Sequence, residues 1–238
     1  MSTLLKTDRL TKNFRGLVAN QDVSFELEAG RVHSVIGPNG AGKTTFISMI
    51  SGHLSPSSGR IFYKGGDITA LSVVRRARIG IARKFQTPSV FDNLSAYENV
   101  ELAVLRTQMG AADRRKRIDE VLDLVRLRDD RDTPVQHLSH GQRQWLEIGM
   151  LIGIEAELLL LDEPTAGMTA EETAATGELV NSLARDRNLS VIIIEHDINF
   201  IRDLRAPITV LHLGKVLKEG SFEQLSQDEQ VREVYLGT

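Results

Sequence analysis

The chain has 238 residues, 41% of them hydrophobic and 26% charged, which places it among ordinary globular proteins able to bury a sizeable core. Its 29 basic and 32 acidic residues leave a net charge of −3, so no overall electrostatic drive toward nucleic acid exists. The absence of cysteine excludes disulfides and thiolate metal sites, and fits a reducing compartment. Met1–Arg9 has no apolar core of signal-peptide length, and apolar runs such as Leu158–Leu161 are too short to span a bilayer, so any membrane association is expected to run through a partner.

In chain order, Val23, Phe25 and Leu27 alternate with polar residues up to a turn at Gly30, the period of a half-buried strand. Arg31–Ile36 reads as a buried strand, and Thr44–Ile50 as a helix ended by Gly52. Between them lies Gly37-Pro38-Asn39-Gly40-Ala41-Gly42-Lys43-Thr44-Thr45, a phosphate-binding loop in its strand–loop–helix setting. Its glycines let consecutive backbone N–H groups turn toward phosphate oxygens, and the helix N-terminus adds positive potential. Lys43 would reach the β- and γ-phosphates and Thr44 would ligate Mg²⁺. Arg60–Gly66 reads as a strand and turn, so an antiparallel sheet is expected beside the loop.

From Ser95 the pattern turns helical. Ser95 and Glu98 have capping-box spacing ahead of Val100, Leu102, Ala103 and Leu105, and Ile118, Val121, Leu122 and Val125 recur at helical intervals. The stretch 87–154 therefore reads as a mostly helical insertion. The basic runs Arg75–Arg78 and Arg114–Arg117 read as solvated helix faces. Leu158–Leu161, a helix over Ala170–Arg187, and Val191–Ile194 make a βαβ pattern of a buried parallel sheet.

Two carboxylates, Asp162 and Glu163, follow Leu158–Leu161 at the strand end where open α/β sheets bind ligands. Asp162 would hold the Mg²⁺ shell, and Glu163 would orient and deprotonate the attacking water. Leu138-Ser139-His140-Gly141-Gln142 opens a helix through Trp145, Leu146, Ile148 and Leu151, and its serine hydroxyl, the Gly141 N–H and the helix N-terminus can all face an anion.

Together these motifs resemble the ATP-binding cassette (ABC) ATPases over essentially the whole chain. Leu138–Gln142 matches that family's signature loop, Leu-Ser-Gly-Gly-Gln, with His140 in place of the first glycine. The resemblance implies an α/β P-loop NTPase fold of one domain, 1–238, with a mixed-sheet core and antiparallel β subdomain in 1–86 and 155–238 and an inserted helical subdomain in 87–154. It implies that Phe14 stacks on adenine, that Gln86 links the Mg²⁺ and water site to the helical subdomain, and that His196 contacts the γ-phosphate. The phosphate loop of one subunit would face Ser139, Gly141 and Gln142 of another, closing on two ATP molecules, with Thr165–Thr169 crossing the interface. Thr169 stands where the family has Asp or Asn, and its capping-box spacing with Glu172 also fits a helix cap.

Within the family, the single motif set and the lack of heptads disfavour two-cassette translation factors and coiled-coil repair ATPases. The missing Asn-Lys-x-Asp disfavours a GTPase, and the signature loop disfavours a small-molecule kinase. Ala82–Phe91, Ser139–Met150, Ala166–Thr169 and Val234–Gly237 are similar to the importer ATPases for branched-chain amino acids and, most closely, urea. The expected partners are integral membrane permease subunits, a second ABC ATPase subunit and, indirectly, a solute-binding protein, with the chain on the inner face of the cell membrane. A free-standing soluble ABC ATPase is the alternative.

Overall fold

The computed structural model describes residues 2–84 and 89–236. Strands β1 (Thr3–Phe14) and β2 (Leu17–Glu28) form an antiparallel hairpin, as the alternation of buried Val23, Phe25 and Leu27 requires. After β3 (Val32–Ile36), buried at every residue, α1 (Lys43–Ser51) follows the phosphate loop and stops at Gly52, whose φ of 84° is the left-handed conformation glycine adopts without strain. Next come β4 (Ser58–Tyr63), β5 (Gly66–Asp67), α2 (Val73–Arg78) and β6 (Ile81–Lys84). The helices α3 (Ala96–Val104), α4 (Ala111–Leu124) and α5 (His140–Gly153) precede β7 (Leu158–Asp162), α6 (Ala170–Arg187), β8 (Ser190–Ile194) and α7 (Ile198–Leu204). β9 (Ile208–His212) and β10 (Lys215–Gly220) complete the sheet, and the short helices α8 (Phe222–Ser226) and α9 (Glu229–Val231) lead into a π-helical turn, Arg232–Leu236.

Two sheets result. The antiparallel one runs β2-β1-β4-β5, and the larger one runs β10-β9-β3-β8-β7-β6, parallel except for its antiparallel edge β10. Because side chains alternate along a strand, β7 and β8 feed opposite faces. Leu158, Leu160, Ile192 and Ile194 pack with α1 and the antiparallel sheet, while Leu159, Leu161, Val191 and Ile193 pack with α3 to α6. The central sheet is thus covered on both sides, which is why its strands read as unbroken apolar runs.

Two expectations are corrected. Arg76 is not on a solvated face: it is 1% exposed, and its guanidinium donates to Met49 O, Ile50 O, Leu71 O and Thr69 O. The carbonyls at the end of α1 and in the turn before α2 attract this fixed, five-donor cation, which also meets the negative end of the α1 dipole. In α3, Val100 and Ala103 are buried, but Leu102 and the C-capping Leu105 are exposed, because the core touches only the face formed by Ala96, Asn99, Val100, Ala103 and Val104.

Candidate nucleotide-binding site

Three adjacent strands, β3, β8 and β7, end side by side, so the turns that follow them share one edge of the sheet. The phosphate loop leaves β3, His196 follows β8, and Asp162 and Glu163 close β7. This is the carboxyl edge where open α/β sheets bind ligands.

The loop's path depends on close backbone approaches. A Cβ on Gly37 (φ 149°) would sit 2.1 Å from Leu211 O, and one on Gly42 (φ 97°) 2.3 Å from Ala19 O, so neither position accepts a side chain without rebuilding the loop. Ala41 is buried, Gly214 N donates to Ala41 O, and Asn39, Gly40 and Thr44 are exposed on the open side. Lys43 Nζ donates to Gly37 O (2.6 Å) and Pro38 O (3.0 Å), which draws the ammonium back over the loop. Burial lowers the Lys43 pKa, while the charges of Glu163 and Asp162 act in the opposite sense. The lysine and both carboxylates therefore share one electrostatic neighbourhood.

Asp162 is buried and pairs with Arg83, whose Nη2 lies 3.1 Å from Asp162 Oδ2 and whose Nη1 donates to Ser48 Oγ. Asp162 Oδ1 is buried with no hydrogen-bond partner. An orphan carboxylate oxygen and the exposed Thr44 hydroxyl are the kind of oxygen donors suited to Mg²⁺, which takes few protein ligands and completes its shell with water and phosphate. Among the described residues no group of three or more His, Asp or Glu side chains converges as a metal cage.

Glu163 has φ 49°, a conformation costly for any residue with a Cβ and one that recurs at functional sites. Its N–H donates to Ile194 O and its carbonyl accepts from Ala166 N, so the backbone is pinned on both sides. Glu163 Oε1 then lies 3.8 Å from His196 Nδ1. His196 is held in turn by buried Glu195, which accepts from His196 N (3.0 Å), Thr165 N (3.0 Å) and Thr165 Oγ1 (2.5 Å). Sequence reasoning passed over Glu195. Its signal was a carboxylate continuing the apolar run Val191–Ile194, where burial demands partners.

Phe14 ends β1 and is 41% exposed, with Lys12 Nζ 5.1 Å from its ring centroid. An exposed aromatic face of this kind is free to stack on a planar base. Gln86, with Phe85, Thr87 and Pro88, lies outside the described residues.

The structure does not join the signature residues to this group. Ser139 caps α5 in a full capping box with Gln142, and Gln142 Nε2 donates to Asp130. Ser139 Oγ donates to Glu172 Oε1, and His140 Nε2 donates to Ala166 O. Among the described residues no hydrogen bond or ion pair links Ser139, Gly141 or Gln142 to the phosphate loop, so the two motifs stand apart within one chain. Thr169 caps α6 in a capping box with Glu172, as its spacing predicts.

The family model for the ABC transporter matches residues 20–166, from the hairpin through the phosphate loop and signature loop to the Asp162-Glu163 pair. The chain belongs to the ABC transporter family. It is 39% identical over its whole length, and over 98% of the relative's, to the lipopolysaccharide export system ATP-binding protein LptB of Acidithiobacillus ferridurans. It is 31% identical, over 98% of each chain, to the high-affinity branched-chain amino acid transport ATP-binding protein BraF of Pseudomonas aeruginosa. Among solved structures, a nucleotide-free ATP-binding cassette from an ABC transporter superposes with a TM-score of 0.90 at 25% identity over the whole of both chains. A dimeric post-hydrolysis cassette bound to ADP and Pi superposes with a TM-score of 0.80 at 26% identity, over 92% of this chain and 99% of that one. The chain is an ABC transporter ATPase subunit with the P-loop ABC ATPase fold, and among its described residues no helix is long and apolar enough to cross a membrane.

Proposed function

We propose that this ATPase powers an importer for urea, short amides or branched-chain amino acids, bound through permease subunits to the inner face of the cell membrane. The observation that carries this reading is the full-length match to BraF, at 31% identity, beside the sequence patterns that resemble the urea and branched-chain group. A second reading, lipopolysaccharide export, is favoured by the 39% match to LptB. The nucleotide machinery serves either, because solute choice lies with other subunits.

In this reading the loop amides of residues 37–45 and the Lys43 ammonium hold the ATP phosphates, and Phe14 stacks on adenine. Thr44, Asp162 and Gln86 would hold Mg²⁺. When bound, Mg²⁺ supplies charge neutralisation on the β- and γ-phosphate oxygens. Glu163 takes the proton of the attacking water, His196 steadies the γ-phosphate, and Glu195 keeps His196 in register. Ser139, Gly141 and Gln142 meet the nucleotide held by a facing subunit, so two chains, identical or not, close on two ATP molecules. The helical subdomain, 87–154, carries that closure to the permease. Coupling requires that ATP bind the closed dimer better than the open one.

The test is to recover the tagged chain from detergent-solubilised membranes, identify its companions, and assay ATPase activity with candidate binding proteins. Permease subunits and a second cassette, with activity stimulated by a urea- or leucine-loaded binding protein, are the expected result. Recovery with lipopolysaccharide-export subunits overturns the importer in favour of the exporter, and recovery without membrane partners favours a free-standing ATPase.

A further inference from the structure

The carboxylate of Glu172 stands between two helix N-termini. Its Oε1 accepts from Ser139 Oγ (3.0 Å) at the start of α5, while its Oε2 accepts from Thr169 N (3.0 Å) and Thr169 Oγ1 (3.3 Å) at the start of α6. Two helix dipoles thus converge on one negative charge. These donors hold the Glu172 carboxyl below its ordinary pKa, the Thr169 N–H contributing most. The approach at α5 is close enough to need glycine, since a Cβ on Gly141 would lie 2.4 Å from Glu172 Oε1. His140 adds a second tie one residue away, from Nε2 to Ala166 O at 2.9 Å, a bond that a glycine there could not make.

Ser139 and Gly141 are among the groups that the proposed function assigns to the nucleotide of a facing subunit, where the phosphates are the anionic part they could hold. An acidic side chain of the same subunit fills that position. We propose that Glu172 is an internal occupant of the signature-loop anion site, a built-in stand-in for phosphate that must withdraw before the facing nucleotide can be gripped. This rests on the reading of Ser139 and Gly141 as phosphate ligands. A carboxylate and a γ-phosphate carry like charge and compete for the same donors, so the latch opposes dimer closure until ATP is offered from across the interface. His140 and Ala166 join the same latch to the loop at 165–169, so release of Glu172 and movement of the interface loop are mechanically one event.

The test uses the full chain carrying Glu163→Gln, which blocks turnover and lets an ATP-bound dimer accumulate. Glu172→Gln is then added. Glutamine serves equally as a capping-box partner at this position of α6, but a neutral amide makes weaker hydrogen bonds and does not repel phosphate. Sedimentation across a range of chain concentrations at saturating ATP reads dimerisation, and nucleotide titration of dilute monomer reads intrinsic ATP affinity. The expected result is a dimer dissociation constant about tenfold lower with monomer ATP affinity unchanged. A folded Glu172→Gln variant whose dimerisation is unchanged or weaker reduces Glu172 to a helix cap and overturns the latch. Ser139→Arg in the same parent separates that outcome from failure of the underlying reading: it should abolish the ATP-dependent dimer. A dimer indifferent to Ser139→Arg overturns both; where the parent is monomeric alone at saturating ATP, the same comparison is made on its ATP-dependent pairing with the second cassette recovered with it.

Discussion

The Arg83 guanidinium lies 3.1 Å from the Asp162 carboxylate, and both side chains are almost entirely removed from solvent. The pair joins β6 to the end of β7, adjacent parallel strands, and it engages the carboxylate that the proposed function assigns to Mg²⁺. A buried pair adds little net stability over an apolar substitute, but breaking it strands a charge, at a cost of about 3–5 kcal/mol. Arg83→Met should therefore lower the unfolding free energy by that order, and Arg83→Met with Asp162→Asn should cost less than the sum of the two single changes. Urea unfolding of the four proteins checks this. Strictly additive costs would show that Arg83 acts through its bond to Ser48 instead.

Lys43 and Glu163 share the site but should separate in kinetics. Glu163→Gln keeps the shape and removes the base, so turnover should fall by about 10²- to 10⁴-fold with ATP affinity retained. Lys43→Ala removes a cation that would hydrogen-bond phosphate, worth about 1.5–3 kcal/mol, so ATP affinity should fall about 10- to 150-fold. Nucleotide titration and phosphate release on each variant decide the matter. Loss of binding in Glu163→Gln would remove Glu163 from the role of base.

Arg76 is the cation on which the end of α1 depends. Its four carbonyl partners come from α1 and from the segment leading to α2, so Arg76→Ala should expose four acceptors to a buried void at once. The expected loss exceeds about 3 kcal/mol, larger than a surface arginine could give. Arg76→Lys should recover only part of it, because one ammonium cannot reach carbonyls spread around a planar fork. Thermal unfolding compared across the two variants and Arg75→Ala, whose side chain is exposed, is the check.

What the sequence revealed was whatever is encoded within a few residues. The phosphate loop, the Asp162-Glu163 strand end, the limits of α6 and the capping boxes at Ser95 and Thr169 all follow from local spacing, and the structure shows each. Arg76 and Arg75 are neighbours in one basic run, and nothing local separates the buried one from the solvated one; the carbonyls that bury Arg76 reach back to Met49. The contact of Ser139 with Glu172 spans 33 positions and depends on α5 and α6 meeting end to end. Glu172 was legible as a cap for its own helix, not as a ligand for another. Glu195 escaped for the same reason, since its partner Thr165 lies on a different strand end.

His33 on β3 is buried, and its Nε2 lies 2.8 Å from Thr209 Oγ1, which donates onward to Glu219 Oε1 at 2.8 Å. Thr209 has a single hydroxyl proton, so His33 must be the donor to it, which fixes the neutral Nε2–H tautomer. The Phe25 and His33 rings meet in a T-shaped arrangement with centroids 4.7 Å apart, and burial pushes the His33 pKa down to about 4 from 6.5. Between those two values the unfolded chain binds the extra proton and the folded one does not, so stability rises with pH across the window. The His33 contribution is complete above about pH 6.5 and is lost as pH falls through about 4, a change of about 3 kcal/mol. Carboxylates titrate in part of the same range, so the measurement is a difference. His33→Gln keeps a donor toward Thr209 and cannot titrate, and its unfolding free energy should approach that of the parent as pH falls from 7 to 4. Parallel pH profiles for the two proteins would mean that His33 is as easily protonated in the fold as outside it.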